Sequence, residues 1–330
     1  MKFAIVGAGL IGQKRLRSLR PGDQVVAVAD PVLERAQALA AQAKGAVAVS
    51  DWRQAVSRPD VDAVFIATSN DALAPVTAGA IEAGKHALVE KPAARNPGEL
   101  VPLIAAAEKK GVCVQVGFNH RYHPALQQAR KLVDSGVMGP LMYIRARYGH
   151  GGRPGYDKEW RAKPEISGGG ELLDQGVHLI DLSRWFLGDF PDVTGHVATF
   201  FWDMPAEDNG FLLLKTPQGQ VAWLHATWTE WKNTFSFELF GRDAKLHIEG
   251  LGGSYGVERL SYYKMKPQMG PPETTIWEYP GEDNSWRLEL EAFAQAVEAG
   301  REPPVTLRDA HAALTVVYKV YAAAGRVPKT

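Results

Sequence analysis

Three side chains that could move a proton stand out: Lys91 follows an apolar run, and Asp174 and His178 lie four residues apart. Apolar residues repeat at helical spacing from here to Leu187, so this pair shares one helix face, where Asp174 can orient the His178 imidazole and raise its pKa. The arrangement is typical of a general base with its positioning group, although a capped ion pair would look the same. Gly176 favours the catalytic interpretation, because a glycine inside a helix costs about 1 kcal/mol and is easier to explain where something must approach closely.

A glycine-rich turn near the N-terminus predicts a dinucleotide site. Lys2–Val6 is an apolar run typical of a buried strand, and Gly7-Ala-Gly9-Leu-Ile-Gly12 follows it directly. Gly7 permits the tight turn, Gly9 lets the backbone approach a pyrophosphate, and Gly12 lets the following helix lie close to the strand. The free N–H groups at the start of that helix then face the phosphates. The predicted cofactor contacts of this turn are Gly7, Gly9, Leu10, Ile11 and Gly12.

Asp30 decides which dinucleotide is expected. It ends a second apolar run 18 residues after Gly12, where a carboxylate accepts hydrogen bonds from a ribose diol. A 2′-phosphate would meet a like charge there, and Pro31-Val32 offers no adjacent cation to hold it. Arg35 lies one turn further on and softens that preference. We therefore predict NAD as the cofactor, with NADP less favoured.

Polar residues follow three more runs that read as parallel strands: Val61–Ala67, His86–Glu90 and Val112–Phe118. Ligands of doubly wound sheets lie beyond the carboxyl ends of the strands, so these polar residues are expected at the ligand crevice. The first group could equally cap the next helix, and a lysine after a strand could be a solvated loop residue. The residues concerned are Thr68, Ser69, Asn70, Glu90, Lys91, Asn119 and Arg121.

Composition excludes several classes of protein. Lys plus Arg and Asp plus Glu balance at 37 each, so no overall field favours nucleic acid or an anionic membrane. The single cysteine, Cys113, lies in the apolar run Val112–Val116 and is interpreted as a small buried hydrophobe. Because the chain has one cysteine, an intramolecular disulfide and a multi-cysteine zinc site are excluded. No metal is predicted. Without a signal peptide or a run of 18 apolar residues, the expected location is the cytoplasm.

The second half of the chain changes from alternating helix and strand to short strands with tight turns. Leu141–Tyr148 and seven further runs between Val193 and Tyr279 predict a mostly antiparallel sheet. Seven of the nine tryptophans lie between Trp185 and Trp286, so the sheet face that the helices leave open needs a cover, and a homo-dimer or homo-tetramer through this sheet is the simplest one. We predict an α/β Rossmann domain over 1–120 and, over 121–330, an α+β domain with a large open-faced, mostly antiparallel sheet. We expect the terminal helices to pack back on the first domain.

An irregular stretch between these parts, residues 150–170, is rich in glycine and charge. Six cations against two acids around it leave a local excess of four positive charges in a neutral protein. A mobile basic surface loop would explain it, but a long irregular segment inside a compact domain is usually functional. Its charge favours an anionic small molecule such as a nucleotide diphosphate over a neutral sugar. The cations are Arg145, Arg147, Arg153, Lys158, Arg161 and Lys163.

These motifs together resemble the glucose–fructose oxidoreductase, inositol dehydrogenase and rhizopine catabolism family (GFO/IDH/MocA). The resemblance rests on Gly7–Gly12, on Gly84-Lys-His-Ala-Leu-Val-Glu-Lys-Pro92 and on Asp174-Gln-Gly-Val-His-Leu-Ile-Asp-Leu182, and it spans the chain. It implies NAD(P)-dependent oxidation or reduction of a sugar or cyclitol, and dimers or tetramers. It also implies that Lys91 contacts the reacting hydroxyl, that Asp174 and His178 form the acid/base pair, and that the bond before Pro92 is cis.

Within this family, Phe118–Pro124 and Tyr148–Arg161 are more similar to nucleotide-sugar 3-dehydrogenases. That finer resemblance implies oxidation of the 3-hydroxyl of a UDP-N-acetylglucosamine-type sugar. A dehydrogenase of a free sugar, inositol or other polyol is the alternative, and a non-catalytic NAD-sensing regulator is a remote one. The implied substrate contacts are Lys91, Asn119, Arg121, Tyr148, Arg153, Tyr156, Arg161, Asp174 and His178.

Overall fold

In the computed structural model, which describes residues 1–268 and 270–328, the first part of the chain forms a six-stranded sheet. The six strands, β1 to β6, pair only in parallel, in the order β3-β2-β1-β4-β5-β6. The order reverses beside β1, so the switch point where such sheets bind ligands lies between β1 and β4. The strands are β1 (Lys2–Val6), β2 (Gln24–Ala29), β3 (Val47–Val49), β4 (Ala63–Ile66), β5 (His86–Glu90) and β6 (Val114–Gly117).

Helices cover both faces of this sheet, which is why β4 is apolar and buried along its whole length. Local capping fixes several helix ends. Asp51 accepts a hydrogen bond from the Arg53 N–H at the start of α3, and Asn96 accepts one from Glu99 at the start of α5. The helices are α1 (Leu10–Arg17), α2 (Leu33–Ala40), α3 (Trp52–Val56), α4 (Asn70–Glu82) and α5 (Pro97–Lys110).

The second part of the chain forms an eight-stranded sheet in the order β14-β13-β12-β11-β7-β10-β9-β8, counting strands along the chain. β7 and β10 pair in parallel and the other neighbours are antiparallel, which confirms the predicted mostly antiparallel sheet. The strands are β7 (Leu141–Gly149), β8 (Asp192–Ala198), β9 (Asn209–Lys215), β10 (Val221–Thr227), β11 (Thr234–Gly241), β12 (Ala244–Glu249), β13 (Glu258–Lys264) and β14 (Glu273–Tyr279).

Within residues 1–268 and 270–328, helices cover one face of the second sheet, where α8 packs against β7 and β10. A π-helical turn, Leu172–Gly176, leads directly into α8. In the described part of the chain no helix is long and apolar enough to cross a membrane. The helices are α6 (Pro124–Asp134), α7 (Pro164–Ser167), α8 (Val177–Leu187), α9 (Ser285–Glu298) and α10 (Leu307–Ala323), with short 3-10 turns at Asn119–Tyr122, Tyr156–Lys158, Trp160–Ala162 and Gly253–Tyr255.

The opposite face of the second sheet is open. Along β10, Ala222 and Leu224 are buried under the helices, whereas Trp223 between them is 46% exposed. Leu213 on the neighbouring β9 pairs with Trp223 and is 50% exposed. The open face therefore carries large apolar side chains.

The C-terminal helices return to the first sheet. Leu290, Phe293 and Ala296 of α9 belong to the same buried cluster as Phe3 and Phe65. This packing holds α9 against the first sheet, and α10 packs against α5 and β6 of the same domain.

Candidate active site

The glycine turn after β1 is closely packed against backbone at Gly7 and Gly12 and is open at Gly9. Gly7 has a φ of +99°, and a Cβ there would lie 2.3 Å from the Ala67 carbonyl oxygen. A Cβ on Gly12 would lie 2.0 Å from the carbonyl oxygen of Gly7, whereas a Cβ on Gly9 would meet open space. Only glycine fits the first and third positions, and the second leaves the backbone accessible to a phosphate group.

A cavity of about 670 Å³ lies in front of this turn and reaches Asp30 and Arg35. The Asp30 carboxylate accepts hydrogen bonds from the backbone N–H groups of Ala8 and Val32, each at 2.9 Å. These bonds hold the carboxylate at the cavity while each oxygen keeps a free lone pair for a ribose hydroxyl. The residues present therefore fit a dinucleotide. All of the predicted turn residues except Gly12, which packs behind, line this cavity: Gly7, Gly9, Leu10 and Ile11.

The segment after β4 divides between two cavities. Thr68 and Ser69 line the dinucleotide cavity, and Ser69 donates its hydroxyl to Asp71 at 2.6 Å rather than capping α4. Asn70 lines a second cavity and donates to the carbonyl oxygen of Ser167 at 2.7 Å. Thr68 lines both cavities, so this segment lies where they join.

The second cavity, of about 470 Å³, brings together most of the predicted chemical residues. Lys91, Asp174 and His178 all line it. It shares a wall with the dinucleotide cavity, formed by residues that border both: Ile11, Ala67, Thr68, Trp160, Arg161, Asp174 and Gln175. The predicted Glu90, Asn119 and Tyr148 also line this second cavity, and Arg153 and Tyr156 line the first.

Lys91 is fixed by Asp174. Its ammonium donates to the Asp174 carboxylate at 2.6 Å and to the backbone carbonyl of the same residue at 2.5 Å. The Lys91–Pro92 bond is cis, which confirms the implication of the family motif. Glu90, just before it, accepts hydrogen bonds from the buried guanidinium of Arg15. The end of β5 is thus held on both sides.

Asp174 does not pair with His178, and this prediction was wrong. In the described residues its carboxylate binds Lys91 and, at 3.2 Å, Arg161. Burial alone would raise the pKa of this carboxyl, but the two cations outweigh burial and hold the pKa below its usual range. The physical reason is partly local, because Asp174 lies in the π-helical turn, whose wider spacing differs from the i to i+4 geometry that was assumed.

His178 is surrounded by rings instead. The His120 ring stacks on it with centroids 3.8 Å apart and planes 27° apart, and Phe118 meets its edge at 5.7 Å. Burial and the neighbouring Lys91 lower the pKa of His178 well below its ordinary value, which reverses the predicted shift. The imidazole is therefore neutral at physiological pH.

Gly176 has a packing role rather than a ligand role. A Cβ there would lie 2.9 Å from the Leu172 side chain and 3.2 Å from Ala226 of β10. Leu172 of the same turn and Ala226 of the second sheet therefore account for the close approach that the sequence suggested, so this glycine is not evidence for catalysis.

Arg121 does not face either cavity, so its predicted contact with substrate is also corrected. It is buried and binds Asp181 of α8 through two hydrogen bonds, at 2.8 and 2.5 Å. It also reaches Asp309 of α10 at 3.2 Å. This network joins the segment after β6 to two helices. The cation was misassigned because its partners lie 60 and 188 residues away along the chain.

The local excess of positive charge is largely compensated. Arg145 and Arg147 point from β7 to the open sheet face and pair with Glu238 and Glu230. At the cavities, Arg153 pairs with Glu159 at 2.5 Å. Glu230 and Glu238 lie outside the stretch over which the charges were counted, and Glu159 lies inside it. The excess of four positive charges in the sequence therefore overstates the positive potential at the site.

Several lining residues of the second cavity were missed by sequence reasoning. His120 and His123 lie within a segment that was singled out, but no role was given to them. Others come from distant parts of the chain and carry no local signal. The missed residues are Lys14, Ala67, His120, His123, Trp160, Gln175, Leu251, Gly252, Gly253, Ser254, Tyr255, Asp283 and Trp286. Cys113 is buried as expected, and burial raises the pKa of its thiol to about 12.

Relatives of the chain were found by sequence. D-glucoside 3-dehydrogenase of Escherichia coli is 30% identical over 94% of this chain and 90% of its own length. Levoglucosan dehydrogenase of Pseudarthrobacter phenanthrenivorans is 34% identical, over 52% of this chain and 44% of its own length, so the match spans under half of that relative.

Solved structures share the fold. A levoglucosan dehydrogenase in complex with NADH superposes with a TM-score of 0.88 at 22% identity, covering 100% of both chains. A UDP-N-acetylglucosamine 3-dehydrogenase from Acidithiobacillus ferrooxidans superposes with a TM-score of 0.82 at 21% identity, covering 99% of both chains. At these identities the likeness concerns the fold alone.

Two family models match consecutive parts of the chain. Residues 1–118 match an oxidoreductase family with an NAD-binding Rossmann fold, and residues 126–247 match the GFO/IDH/MocA C-terminal domain. The chain therefore belongs to the GFO/IDH/MocA family of oxidoreductases, and its first 118 residues form an NAD-binding Rossmann domain.

Proposed function

We propose that this protein is an NAD-dependent dehydrogenase that oxidises a secondary hydroxyl of an uncharged sugar, glycoside or cyclitol to a ketone. The observation that carries this proposal is that Lys91 and His178 line one cavity, which shares a wall with the cavity of the glycine turn. A hydroxyl in the second cavity can therefore contact both side chains. NAD⁺ bound in the first cavity supplies the hydride acceptor for the reaction.

His178 is the general base. Its Nδ1 is sealed in the protein, so Nε2 is the nitrogen that takes the hydroxyl proton in the cavity. The low pKa of this imidazole keeps its lone pair available at neutral pH. Burial against Phe118 and His120 restricts the ring, so the base is presented in one orientation.

Lys91 stabilises the negative charge that develops on the substrate oxygen. An ammonium group has three N–H donors, and Asp174 accepts two of them. The third is left for the oxygen that loses its proton to His178. Asp174 is thus the positioning residue of Lys91, and its own charge is stabilised by Arg161.

An uncharged substrate agrees best with the electrostatics of the site. Arg161 and Arg153, the predicted phosphate contacts that line a cavity, are both engaged by carboxylates of the protein. The second cavity also presents the rings of Trp160 and Trp286, the kind of apolar surface on which a sugar ring packs. The names of the relatives, dehydrogenases of D-glucoside and levoglucosan, support the same substrate class.

A UDP-N-acetylglucosamine-type substrate is the second candidate. Its support is that Arg153 and Arg161 both border the dinucleotide cavity, where a small movement would free a guanidinium for a diphosphate.

A homo-oligomer built through the open sheet face is also part of the proposal, because Leu213 and Trp223 are about half exposed there.

Initial rates with NAD⁺ and NADP⁺ over four substrate classes test the proposal: free sugars, methyl glycosides, inositols and UDP-sugars. We expect turnover of at least one uncharged class, with NAD⁺ preferred. Turnover of UDP-sugars alone would overturn the substrate class and favour the second candidate. Tight NADH binding with no turnover of any class would favour a sensing role. Light scattering of the purified chain tests the oligomer.

A further inference from the structure

The second cavity extends beyond the proposed base, His178. The ring of His120 stacks on that of His178 with centroids 3.8 Å apart. Asn119, which precedes it in the chain, donates its side-chain amide to the Ser285 hydroxyl at 2.9 Å. Trp286 follows Ser285 and also lines the cavity. Two residues in contact thus separate the base from the start of α9, so the cavity has an outer end, at Trp286, that lies beyond the reacting hydroxyl.

Lys14 brings a positive charge to this outer end. It lines the cavity, and its ammonium lies 4.8 Å from the centroid of the Trp286 ring, where a cation is attracted by the aromatic face. The other lysine and arginine that line the cavity, Lys91 and Arg161, both bind Asp174. Within the part of the chain that the structure describes, Lys14 has no carboxylate at ion-pair distance. Its N–H donors are therefore available to a ligand.

Asp283 brings a hydrogen-bond acceptor to the same end. Its carboxylate accepts hydrogen bonds from the backbone N–H of Ser285, at 2.9 Å, and from the indole N–H of Trp286, at 3.2 Å. These bonds hold the indole ring, and they use different oxygens, so each oxygen keeps a free lone pair. His123 lies 3.9 Å from this carboxylate. A donor, an acceptor and an aromatic ring are thus combined at the outer end.

The loop between β12 and β13 completes the outer end, because Leu251–Tyr255 all line the cavity. Side-chain contacts fix this loop. The Ser254 hydroxyl accepts a hydrogen bond from the Asn233 amide at 2.7 Å, and the Tyr255 ring lies 5.4 Å from the ring of Tyr148. Neither this loop nor the start of α9 lies in the ranges that the two family models match. The features that define the family therefore do not account for the outer end.

We propose that the outer end is a subsite for a second sugar ring, so that the substrate is a glycoside of two rings rather than a single sugar or cyclitol. Trp286 packs against the apolar face of the second ring, Lys14 donates to its oxygens and Asp283 accepts from its hydroxyls. One positive and one negative group beside an aromatic ring suit an uncharged, polyhydroxylated ligand. The proposal rests on the proposed function, because the first ring is the one whose hydroxyl contacts His178 and Lys91.

Matched pairs of substrates test the subsite. Maltose and methyl α-D-glucoside offer the same glucosyl ring for oxidation, as do cellobiose and methyl β-D-glucoside, but only the disaccharides carry a second ring. We expect kcat/KM with NAD⁺ to be at least tenfold higher for one disaccharide than for its methyl glucoside. Lys14→Met should lower this ratio about tenfold, and the ratio cancels effects common to both substrates. Equal values in the native protein, or a ratio unchanged in Lys14→Met, would overturn the proposal.

Further measurements separate a sugar subsite from other roles of this end. Trp286→Leu should lower the same ratio, whereas Arg17→Met, at an exposed position of the same helix as Lys14, is the matched control and should leave it unchanged. A weaker Kd for NADH in Lys14→Met, with the native ratio retained, would assign Lys14 to the cofactor and overturn the proposal. A preference confined to a glucosyl-glucuronic acid, whose second ring carries a carboxylate, would overturn the uncharged class.

Binding distinguishes this proposal from the proposed function. Titration calorimetry of the NADH complex with each disaccharide and each methyl glucoside gives the ratio of Kd values without turnover. If the native protein oxidises no uncharged sugar, the proposed function fails, and the Kd ratios of the native protein and Lys14→Met still decide the subsite. If it oxidises methyl glucosides and disaccharides equally well, the proposed function stands and the subsite fails. If Trp286→Leu does not fold, the native protein and Lys14→Met decide.

Discussion

Replacement of Glu207 by Gln tests how the turn that carries Asp174 is held. Glu207 is buried, and its carboxylate accepts hydrogen bonds from the backbone N–H groups of Gly170, at 3.0 Å, and Leu172, at 3.2 Å. The hydroxyl of Tyr321 also donates to it, at 2.6 Å. Burial raises the pKa of this carboxyl to about 7, even though these three donors lower it. The group therefore changes charge in the physiological range while holding the start of the π-helical turn.

The magnitude follows from the two pKa values. An ordinary glutamate has a pKa of 4.5 and Glu207 in the folded protein about 7, so the folded state binds this proton more tightly. The resulting stabilisation is fully present below pH 4.5 and is lost as the pH rises through 7. Between pH 5 and pH 8 the loss amounts to about 2.5 kcal/mol of unfolding free energy. Glutamine cannot ionise, so Glu207→Gln lacks this pH-dependent contribution to the unfolding free energy.

The measurement is urea unfolding of the native protein and Glu207→Gln at pH 5, 6, 7 and 8. We expect the difference in unfolding free energy, native minus variant, to fall by about 2.5 kcal/mol from the lowest to the highest pH. The pKa of Glu289 is also raised, to about 7, but this residue is present in both proteins and its contribution cancels. Glu282→Gln, at an exposed position, is the control. A difference that stays constant with pH would refute the reasoning.

Three further predictions concern the site and its support. Lys91→Met should lower kcat by about 10² to 10⁴, because the charge that stabilises the substrate oxygen is lost, while NADH binding measured by fluorescence titration stays unchanged; unchanged kcat would remove Lys91 from the mechanism. Asp30→Ala should weaken NAD⁺ binding about tenfold and improve the NADP⁺ to NAD⁺ ratio, as Kd values from the same titration will show; an unchanged ratio would contradict it. Arg121→Met leaves Asp181 buried without its cation and should destabilise the fold by about 3–5 kcal/mol in urea unfolding, with KM little changed; a large rise in KM at full stability would instead restore Arg121 as a substrate contact.

The cofactor half of the site could be predicted because its determinants are local. Gly7, Gly9 and Gly12 lie within one turn. A Cβ on Gly12 would meet the Gly7 carbonyl, Gly9 leaves the backbone open to a ligand, and Gly7 needs its positive φ. The contact of Gly7 with Ala67 is long-range, but Ala67 directly follows the neighbouring parallel strand β4. Asp30 follows β2, which pairs directly with β1, so the sequence spacing already places it beside the turn. The order of parallel strands then brings the ends of β4 and β5 to the same edge.

The substrate half depended on long-range contacts that no spacing rule contains. Lys14 and Trp286 are 272 residues apart in sequence, yet the ammonium lies 4.8 Å from the indole ring at the cavity. Arg121 looked equivalent to Arg161, but only the second reaches the cavity, because Asp181 and Asp309 hold the first in the protein interior. A cation at the end of a strand is therefore ambiguous until the positions of all competing carboxylates are known.

The pairing of Asp174 with Lys91 rather than His178 changes how the base can work. A carboxylate beside the imidazole would stabilise its protonated form, whereas Lys91 and burial favour the neutral form. A base with a low pKa is weak by itself, and it can take a proton only from a hydroxyl whose alkoxide is stabilised. In the mechanism that we propose, Lys91 provides that stabilisation at the same oxygen, and its hydrogen bond to Asp174 orients the ammonium. Replacing Lys91 alone or His178 alone should therefore lower kcat nearly as much as replacing both. The reason is that neither residue can bring about the deprotonation without the other.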